Sequence, residues 1–330
     1  MNTFHEKPPC CRGKIWRRSN RRRQCSICKK TWRAWKRKRG RKNRRQNFGL
    51  LFQYLKHESG SLRQQAQKRH LTAAGFGVRM SKIVQMFNKT SKWPEIPNGE
   101  LIAVADAMIE YIKGKPHTFY FILIRAVKET KAVILPITVT IGAGEGFHGW
   151  RSAWKVVPPQ VHTRIRVLVC DGVQALATIA DEESWILQRC QFHLRARISH
   201  NCSPRRFGKR PQFGQQIQRL VQTVLTSKDE EKIHRALYRI TLAKEQIRSA
   251  AFRTVISGFL KHYQDYRSYL RFSELHIPTT SNSAEFLIGQ IRDLQYRAHG
   301  FSTLRSLGAW IEAYCKYTKT ITCNGKNVPI

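Results

Sequence analysis

The sequence predicts an α/β protein with one mixed β-sheet that is interrupted by a wholly helical segment. Three apolar runs bounded by turn residues follow one another between residues 101 and 142, as expected for an antiparallel meander. A fourth run, in TRIRVLVCD at residues 163–171, is nearly continuous and is typical of a strand buried on both faces. Between residues 201 and 275 the apolar residues recur instead at helical spacing, which indicates an insertion of helices.

The front of the chain, residues 1–47, predicts a basic arm. It holds 19 of the 60 Lys and Arg residues and a single acidic residue, Glu6. The whole chain has a formal charge of +39, which a polyanion must neutralise; nucleic acid is the usual one, and an anionic membrane surface is the alternative. We expect the arm to contact DNA phosphates without sequence preference. Its candidate DNA-binding residues are Arg21, Arg22, Arg23, Lys36, Arg37, Lys38 and Arg39.

The same arm contains a candidate zinc site, which predicts a small zinc-ribbon-like segment. Cys25 and Cys28 have the Cys-x-x-Cys spacing in which two thiolates bind one Zn²⁺ ion. Cys10 and Cys11 are adjacent and fit a tetrahedral site poorly, so His5 is the alternative fourth ligand. Nine cysteines, an odd number, indicate a reducing compartment rather than a disulfide framework. Reduced thiols in a basic tail are the alternative interpretation.

Residues 48–92 predict a helix-turn-helix. FGLLFQYLKH has helical spacing, and SLRQQAQKRHLTAAGFGVRMSKIVQMF predicts two helices around a turn, with Ser61 and Thr72 as N-caps. The second helix, from about Thr72, is the candidate for reading DNA, and a generic helical hairpin is the alternative. The candidate DNA contacts of this region are Arg63, Arg69 and Arg79.

Residues 93–200 predict the first part of the sheet. LIAVAD ends at Asp106, and HTFYFILIRAV and KAVILPITVTIG follow it as two further strands. A helix precedes TRIRVLVCD, where Trp150 and Trp154 fit core packing better than stacking on a flipped base. A helix from Gly172 and a short strand, WILQRC, complete this part. After the insertion, residues 276–330 complete the core with a helix that starts near Thr280.

Three acidic residues in these elements form a candidate metal site. Asp106 and Asp171 each end a predicted strand, and Glu285 lies on the helix that follows the insertion. Converging carboxylates repel one another unless cations lie between them, which suits two Mg²⁺ or Mn²⁺ ions about 3.5–4 Å apart. For either Asp taken alone, a cap of a turn or helix is the alternative.

Four short motifs, in this order, resemble the catalytic core of DDE transposases of the Mutator-like insertion-sequence type. They are LIAVAD, the Asp-Gly pair at 171–172, the Cys-x-x-His at 190–193 and the Asn-x-x-Glu at 282–285, within about residues 95–315. The resemblance implies a ribonuclease-H-like sheet with an all-helical insertion. It also implies that Asp106, Asp171 and Glu285 are the catalytic ligands of two Mg²⁺ or Mn²⁺ ions. It places Cys190, His193 and Asn282 near the active site.

The role of the Cys-x-x-His pair follows from its ligand count and from this resemblance. Two ligands cannot complete a tetrahedral zinc site, and a nucleophilic thiol is not needed where water and a DNA hydroxyl attack. We therefore expect Cys190 and His193 to order the core or to contact DNA.

The implied function is a DNA transposase that binds double-stranded element ends, cuts them and joins them to target DNA. Holding two ends together requires at least a homodimer. A catalytically silent transposase-derived DNA-binding protein and a nuclease without strand transfer are the alternatives. No signal peptide is found, and the longest uncharged stretch, Ala132–Gly144, is too short to span a bilayer. We therefore expect no membrane partner and a location in the cytoplasm of a prokaryotic cell, at the nucleoid.

Overall fold

The computed structural model describes residues 14–18, 22–33, 42–56, 60–202 and 211–322. The chain divides into two compact units, Met1–Leu50 and Leu51–Ile330. Several candidate residues of the basic arm lie outside the described residues: His5, Cys10, Cys11, Arg21, Lys36, Arg37, Lys38 and Arg39.

The first unit contains a small antiparallel sheet with the strand order β1-β2-β3. Its strands are β1 (Ile15–Arg17), β2 (Arg22–Cys25) and β3 (Thr31–Arg33). Cys25 ends β2 and is buried, whereas Cys28 lies in the turn that follows and is exposed. The Cys-x-x-Cys pair therefore brackets the turn between two strands, and zinc binding by this pair stays a prediction.

The second unit is built on a seven-stranded mixed sheet with the order β10-β6-β5-β4-β8-β9, in which β7 pairs with β5. Strands β4, β8 and β9 are parallel, and the remaining pairs are antiparallel. The predicted α/β class and mixed sheet are therefore confirmed. The strands are β4 (Leu101–Ile112), β5 (Lys115–Ala126), β6 (Lys131–Ile134), β7 (Thr138–Ile141), β8 (Ile165–Cys170), β9 (Ile186–Arg189) and β10 (Thr320–Thr322).

Two predicted strand boundaries are wrong. Asp106 does not close its strand, because β4 continues for six residues beyond it and pairs with β5 as far as Ile112 and Lys115. The hairpin is closed by Lys113 and Gly114, which both have positive φ (51° and 77°), as a two-residue primed turn requires. KAVILPITVTIG forms two strands, β6 and β7, because Pro136 between them has no backbone N–H to donate to a ladder.

Helices surround the sheet and form the insertion. Among the described residues, no helix is both long and apolar enough to cross a bilayer. The helices are α1 (Lys42–Leu55), α2 (Leu62–Gln67), α3 (Ala73–Thr90), α4 (Phe147–Trp154), α5 (Pro159–His162), α6 (Gln174–Glu182), α7 (Gln191–Asn201), α8 (Pro211–Thr226), α9 (Glu230–Glu245), α10 (Ala250–His262), α11 (Ser268–Arg271), α12 (Asn282–Arg297) and α13 (Leu304–Thr318), with a 3₁₀ turn at Ser273–Leu275.

The two faces of the sheet are covered by different helices. Helices α4, α5 and α6 pack on the face that Leu101, Ala103 and Ala105 of β4 present. Trp150 and Trp154 are buried in this layer, which confirms the prediction of core packing. Helix α12 packs against β4 and β5. Since side chains alternate along a strand, Ile102, Val104 and Asp106 lie on the opposite face of the sheet from Leu101, Ala103 and Ala105.

Helices α2 and α3 begin at the predicted caps. Ser61 and Gln64 form a reciprocal capping box at α2, and the hydroxyl of Thr72 accepts a hydrogen bond from Gly75 N at α3. Helix α3 buries one face against α13, where Asn88 Nδ2 donates to Ala309 O at 2.8 Å and Lys316 Nζ donates to Asn88 O at 2.7 Å. Helices α2 and α3 belong to the same compact unit as the sheet.

The insertion has its own core. Within residues 211–275 every regular element is helical, as predicted, and apolar residues of α8, α9 and α10 pack together with Leu194 and Ile198 of α7. Hydrogen bonds tie its end to β9, where Ser268 Oγ donates to Leu187 O at 2.6 Å and Arg189 N donates to Asp265 O at 2.9 Å. The insertion is thus joined to the sheet beside the predicted motif residues.

Candidate active site

Asp106 lies on β4, and Asp171 directly follows the neighbouring parallel strand β8. Val104 of β4 pairs with Val169 of β8, and each aspartate follows two residues later in the chain. Two residues is one period of a strand, so Asp106 lies on the sheet face that carries Val104, and Asp171 stands just past the end of β8, close enough for its charge to act on Asp106. The structure therefore brings together two acids that are 65 positions apart in the sequence.

One oxygen of each aspartate is held by the backbone. Asp106 Oδ1 accepts from Ala107 N at 2.8 Å, and Asp171 Oδ1 accepts from Val173 N at 3.1 Å. Gly172, which follows Asp171, has a φ of +95°, and a Cβ there would stand 3.0 Å from Arg189 Nη1. Asp171 therefore does cap a turn, as the alternative interpretation expected. Neither Oδ2 atom forms a hydrogen bond with the described residues.

Glu285 lies in the first turn of α12 and meets the Cys-x-x-His pair. Glu285 Oε1 accepts from Ser281 Oγ at 3.1 Å and from Cys190 Sγ at 3.9 Å, and His193 Nδ1 lies 3.4 Å from it. Ser281 N donates to Cys190 Sγ at 3.3 Å. The ligand atoms of Cys190, His193 and Glu285 lie within 4.8 Å of one another, which is close enough to hold a metal ion.

These groups share one electrostatic environment. Burial raises the pKa of Asp106 to about 7, and the charges of Asp171 and Glu285 raise it further, whereas the Ala107 N–H and His193 act in the opposite direction. A hydrogen bond with Cys190 raises the pKa of His193 to about 9; burial of the imidazole opposes this rise, and the charges of Glu285 and Asp171 add to it. The three predicted acids and His193 are therefore electrostatic neighbours.

Glu145 is a fourth acid of this region that the sequence did not reveal. Burial raises its pKa to about 7, Asp171 and Asp106 add to this rise, and the neighbouring Trp150 indole partly offsets it. Its Oε2 atom is buried and accepts no hydrogen bond from the described residues. The sequence feature that could have identified Glu145 is GAGEG, an acid within a glycine-rich stretch. In this loop Gly144 has a φ of +141°, which other residues rarely adopt.

A buried hydroxyl holds the loop that carries this acid. Thr118 Oγ1 on β5 donates to Gly142 O at 2.8 Å and accepts from Gly144 N at 3.3 Å. The loop between β7 and α4 is therefore fixed to the sheet directly before Glu145.

The remaining candidate residues differ in their exposure and in their hydrogen bonds. Asn282 begins α12, and its amide forms no hydrogen bond with the described residues. Arg63 and Arg79 are exposed on α2 and α3, whereas Arg69 Nη1 donates to Gln65 O at 3.1 Å and to Gln65 Oε1 at 2.6 Å. In the first unit, Arg22 is exposed and Arg23 is half-buried on β2.

The donor set of the three acids fits hard divalent cations. Asp106 and Asp171 form no ion pair with a Lys, Arg or His side chain of the described residues, although the chain carries a net charge of +39. Carboxylate oxygens of mutually repelling acids are the ligands that Mg²⁺ and Mn²⁺ prefer.

No protein-family model matches this chain, and no curated protein matches it either.

Proposed function

We propose that this chain is a DDE transposase with a ribonuclease-H-like core. The observation that carries the proposal is the placement of Asp106 on β4 and of Asp171 directly after the adjacent parallel strand β8, with the charge of Glu285 on α12 acting on Asp106. The order β6-β5-β4-β8-β9, with an antiparallel half and a parallel half that meet at β4, supports the ribonuclease-H-like assignment. The helical insertion between Asp171 and Glu285 supports the transposase type.

In this proposal Asp106, Asp171 and Glu285 hold two Mg²⁺ or Mn²⁺ ions. The chemistry that such ions supply is stabilisation of the attacking and leaving oxygens of an in-line phosphodiester displacement. The backbone N–H groups of Ala107 and Val173 orient the two aspartates, and Ser281 and Cys190 orient Glu285. Water would cut one strand at an element end, and the released 3′ hydroxyl would attack target DNA.

Positive charge supports duplex DNA as the substrate. The net charge of +39 favours binding of a polyanion, and Arg63 and Arg79 are exposed on the two helices of the proposed DNA-binding region. A transposition reaction holds two element ends at once, so the proposal includes at least a homodimer on DNA. The N-terminal Cys-x-x-Cys pair is proposed to bind Zn²⁺ as a separate, structural site.

One observation favours a catalytically silent DNA-binding protein. Glu285 Oε1 already accepts from Ser281 and lies 3.4 Å from His193, so its charge is balanced without a metal ion. Asp106 and Asp171 form no ion pair among the described residues, so their charges are not balanced in this way, which favours the enzyme. Burying like charges opposes folding, and a protein that only binds DNA would gain nothing from it.

The test is cleavage of labelled duplexes that contain the DNA flanking the gene of this chain, with Mg²⁺, with Mn²⁺ and with EDTA. We expect metal-dependent nicking at one defined position near each end. Asp171→Asn and Glu285→Gln should each lower the rate at least about a hundredfold, a loss typical of removing one group that stabilises the transition state. Asp181→Asn, which removes an exposed acid of α6, is the matched control and should cleave normally.

Adding a target plasmid distinguishes the alternatives. Joined products support the transposase, and cutting without joining identifies a nuclease. Specific binding of folded, assembled protein without any cutting, or cutting that survives in Asp171→Asn, would overturn the enzymatic proposal.

A further inference from the structure

The Cys-x-x-His pair gains a third ligand only in the folded chain. Cys190 is the N-cap of α7 and His193 lies in its first turn, and Glu285 of α12 meets them although it is 95 positions from Cys190 in the sequence. We propose that Cys190, His193 and Glu285 form a binding site for a thiophilic divalent cation, namely Zn²⁺, in addition to the role of Glu285 among the acids. A thiolate, an imidazole and a carboxylate are the three ligand types that zinc sites in proteins use.

The distances from Glu285 to the other two ligands are close to the edges of a zinc tetrahedron. Zinc bond lengths and tetrahedral angles require about 3.4 Å between a nitrogen and an oxygen ligand and about 3.5 Å between a sulfur and an oxygen ligand. His193 Nδ1 lies 3.4 Å from Glu285 Oε1, and Cys190 Sγ lies 3.9 Å from the same oxygen. The nitrogen–oxygen distance therefore matches that of a zinc site, and the sulfur–oxygen distance is about 0.4 Å longer than such a site requires.

The backbone contacts the sulfur ligand, and the ring nitrogen that faces Glu285 is buried. Ser281 N already donates to Cys190 Sγ at 3.3 Å, and Cys190 is the N-cap of α7. His193 Nδ1 is buried and forms no hydrogen bond with the described residues. Binding would release the thiol proton of Cys190 and leave a fourth position for water.

The two kinds of cation would compete for Glu285. Mg²⁺ binds oxygen ligands and has little affinity for thiolates, whereas Zn²⁺ binds thiolate and imidazole strongly. Zinc held by Cys190 and His193 would withdraw Glu285 from Asp106 and Asp171. Zinc would therefore inhibit the metal-dependent cleavage; this consequence rests on the proposed function, whereas zinc binding itself does not.

The direct test is titration of the full-length chain with Co²⁺, whose absorption reports thiolate ligation in a tetrahedral site. The protein carries Cys10→Ser, Cys11→Ser, Cys25→Ser and Cys28→Ser, so that the N-terminal candidate zinc ligands cannot contribute a thiolate. We expect one equivalent of Co²⁺ with a thiolate charge-transfer band, displaced by Zn²⁺. Cys190→Ser should abolish the band, and His193→Gln should weaken Co²⁺ affinity at least about tenfold.

The controls separate loss of a ligand from loss of the fold. Cys202→Ser removes another buried thiol, which lies in the core of the insertion, and should leave the band unchanged. Thermal unfolding of each variant shows whether it is folded. Because His193 is partly exposed, we expect His193→Gln to fold, so this variant remains informative if Cys190→Ser unfolds. A band that persists in folded Cys190→Ser, or no bound Co²⁺ in the parent protein, would overturn the proposal.

A second measurement tests inhibition. Zn²⁺ added to the Mg²⁺-dependent cleavage reaction should inhibit it, and His193→Gln should raise the inhibitory Zn²⁺ concentration at least about tenfold. Equal inhibition of both proteins would contradict competition at Glu285. If no protein cleaves DNA under any condition, the proposed function fails, and the Co²⁺ titration still decides whether the zinc site exists.

Discussion

The buried carboxyl of Asp106 opposes the stability of the fold. Burial raises its pKa to about 7, well above its value of 3.8 in an unfolded chain. The folded state therefore binds the proton more tightly, so this group favours folding most below pH 3.8, and that contribution is lost as the pH rises through about 7. Repulsion among the acids of this site destabilises the folded chain, and a bound cation would remove that destabilisation.

We expect Asp106→Asn to stabilise the chain, and to do so by roughly 2 kcal/mol more at pH 8 than at pH 5. The physical reason is that the amide has no charge to desolvate, whereas the carboxylate must ionise in the folded state above about pH 7. Urea unfolding at the two pH values, without divalent cations, measures the difference. Asp181→Asn is the control, and an equal effect of Asp106→Asn at both pH values would contradict desolvation of the carboxylate as the cause.

One ion pair connects the insertion to the turn that carries Asp171. Arg189 Nε on β9 lies 3.0 Å from Asp265 Oδ2 and is almost fully buried, with 8% of its side chain exposed. Its Nη1 donates to Gly172 O at 3.0 Å, beside Asp171. The position of this acid therefore depends on the contact between the insertion and the sheet.

We expect Asp265→Ala to lower the free energy of unfolding by roughly 2–4 kcal/mol, because it leaves the buried guanidinium of Arg189 without its charge partner. Glu231→Ala is the matched control: it breaks the exposed pair with Arg235 on α9 and should cost less than about 0.5 kcal/mol. Chemical denaturation measures both. Similar losses in the two variants would show that the buried pair has no special role.

The candidate DNA contacts on α2, on α3 and in the turn between these helices are of two kinds. We expect Arg63→Ala and Arg79→Ala to weaken duplex binding and each to reduce the slope of log affinity against log salt by about one, because each removes one phosphate contact. Arg69→Ala should act mainly on stability, since its guanidinium bonds Gln65 and lies over Phe76. Fluorescence anisotropy at several salt concentrations tests this, and an unchanged slope in Arg79→Ala would argue against α3 as a DNA contact.

The net charge of the entire chain, +39, predicts strongly salt-dependent binding. Affinity for a duplex of arbitrary sequence should fall by at least about a thousandfold between roughly 50 and 200 mM salt, as expected when many phosphates are neutralised at once. A polyanion competitor such as heparin should displace the duplex. Binding that is insensitive to salt would instead point to a recognition surface without phosphate contacts.

Much of the fold was predictable because its signals are local. The caps at Ser61 and Thr72, the buried strand β8 and the helix that carries Glu285 follow from patterns within a few residues. The mixed sheet and the helical insertion followed from the order of such patterns. Local signals also misled: LIAVAD looked complete at Asp106, since nothing nearby reveals that β5 pairs along the whole of β4.

Sequence alone determined which elements form and which acids are candidates; tertiary structure decided which side chains meet. Glu145 entered the site through a loop that Thr118 holds, and Glu285 met Cys190 across 95 positions. The guanidinium of Arg69 bonds Gln65, a contact that the sequence did not predict. The physical reason is that propensity and capping act over a few residues, whereas burial, repulsion between charges and ligand geometry arise only when distant segments pack together.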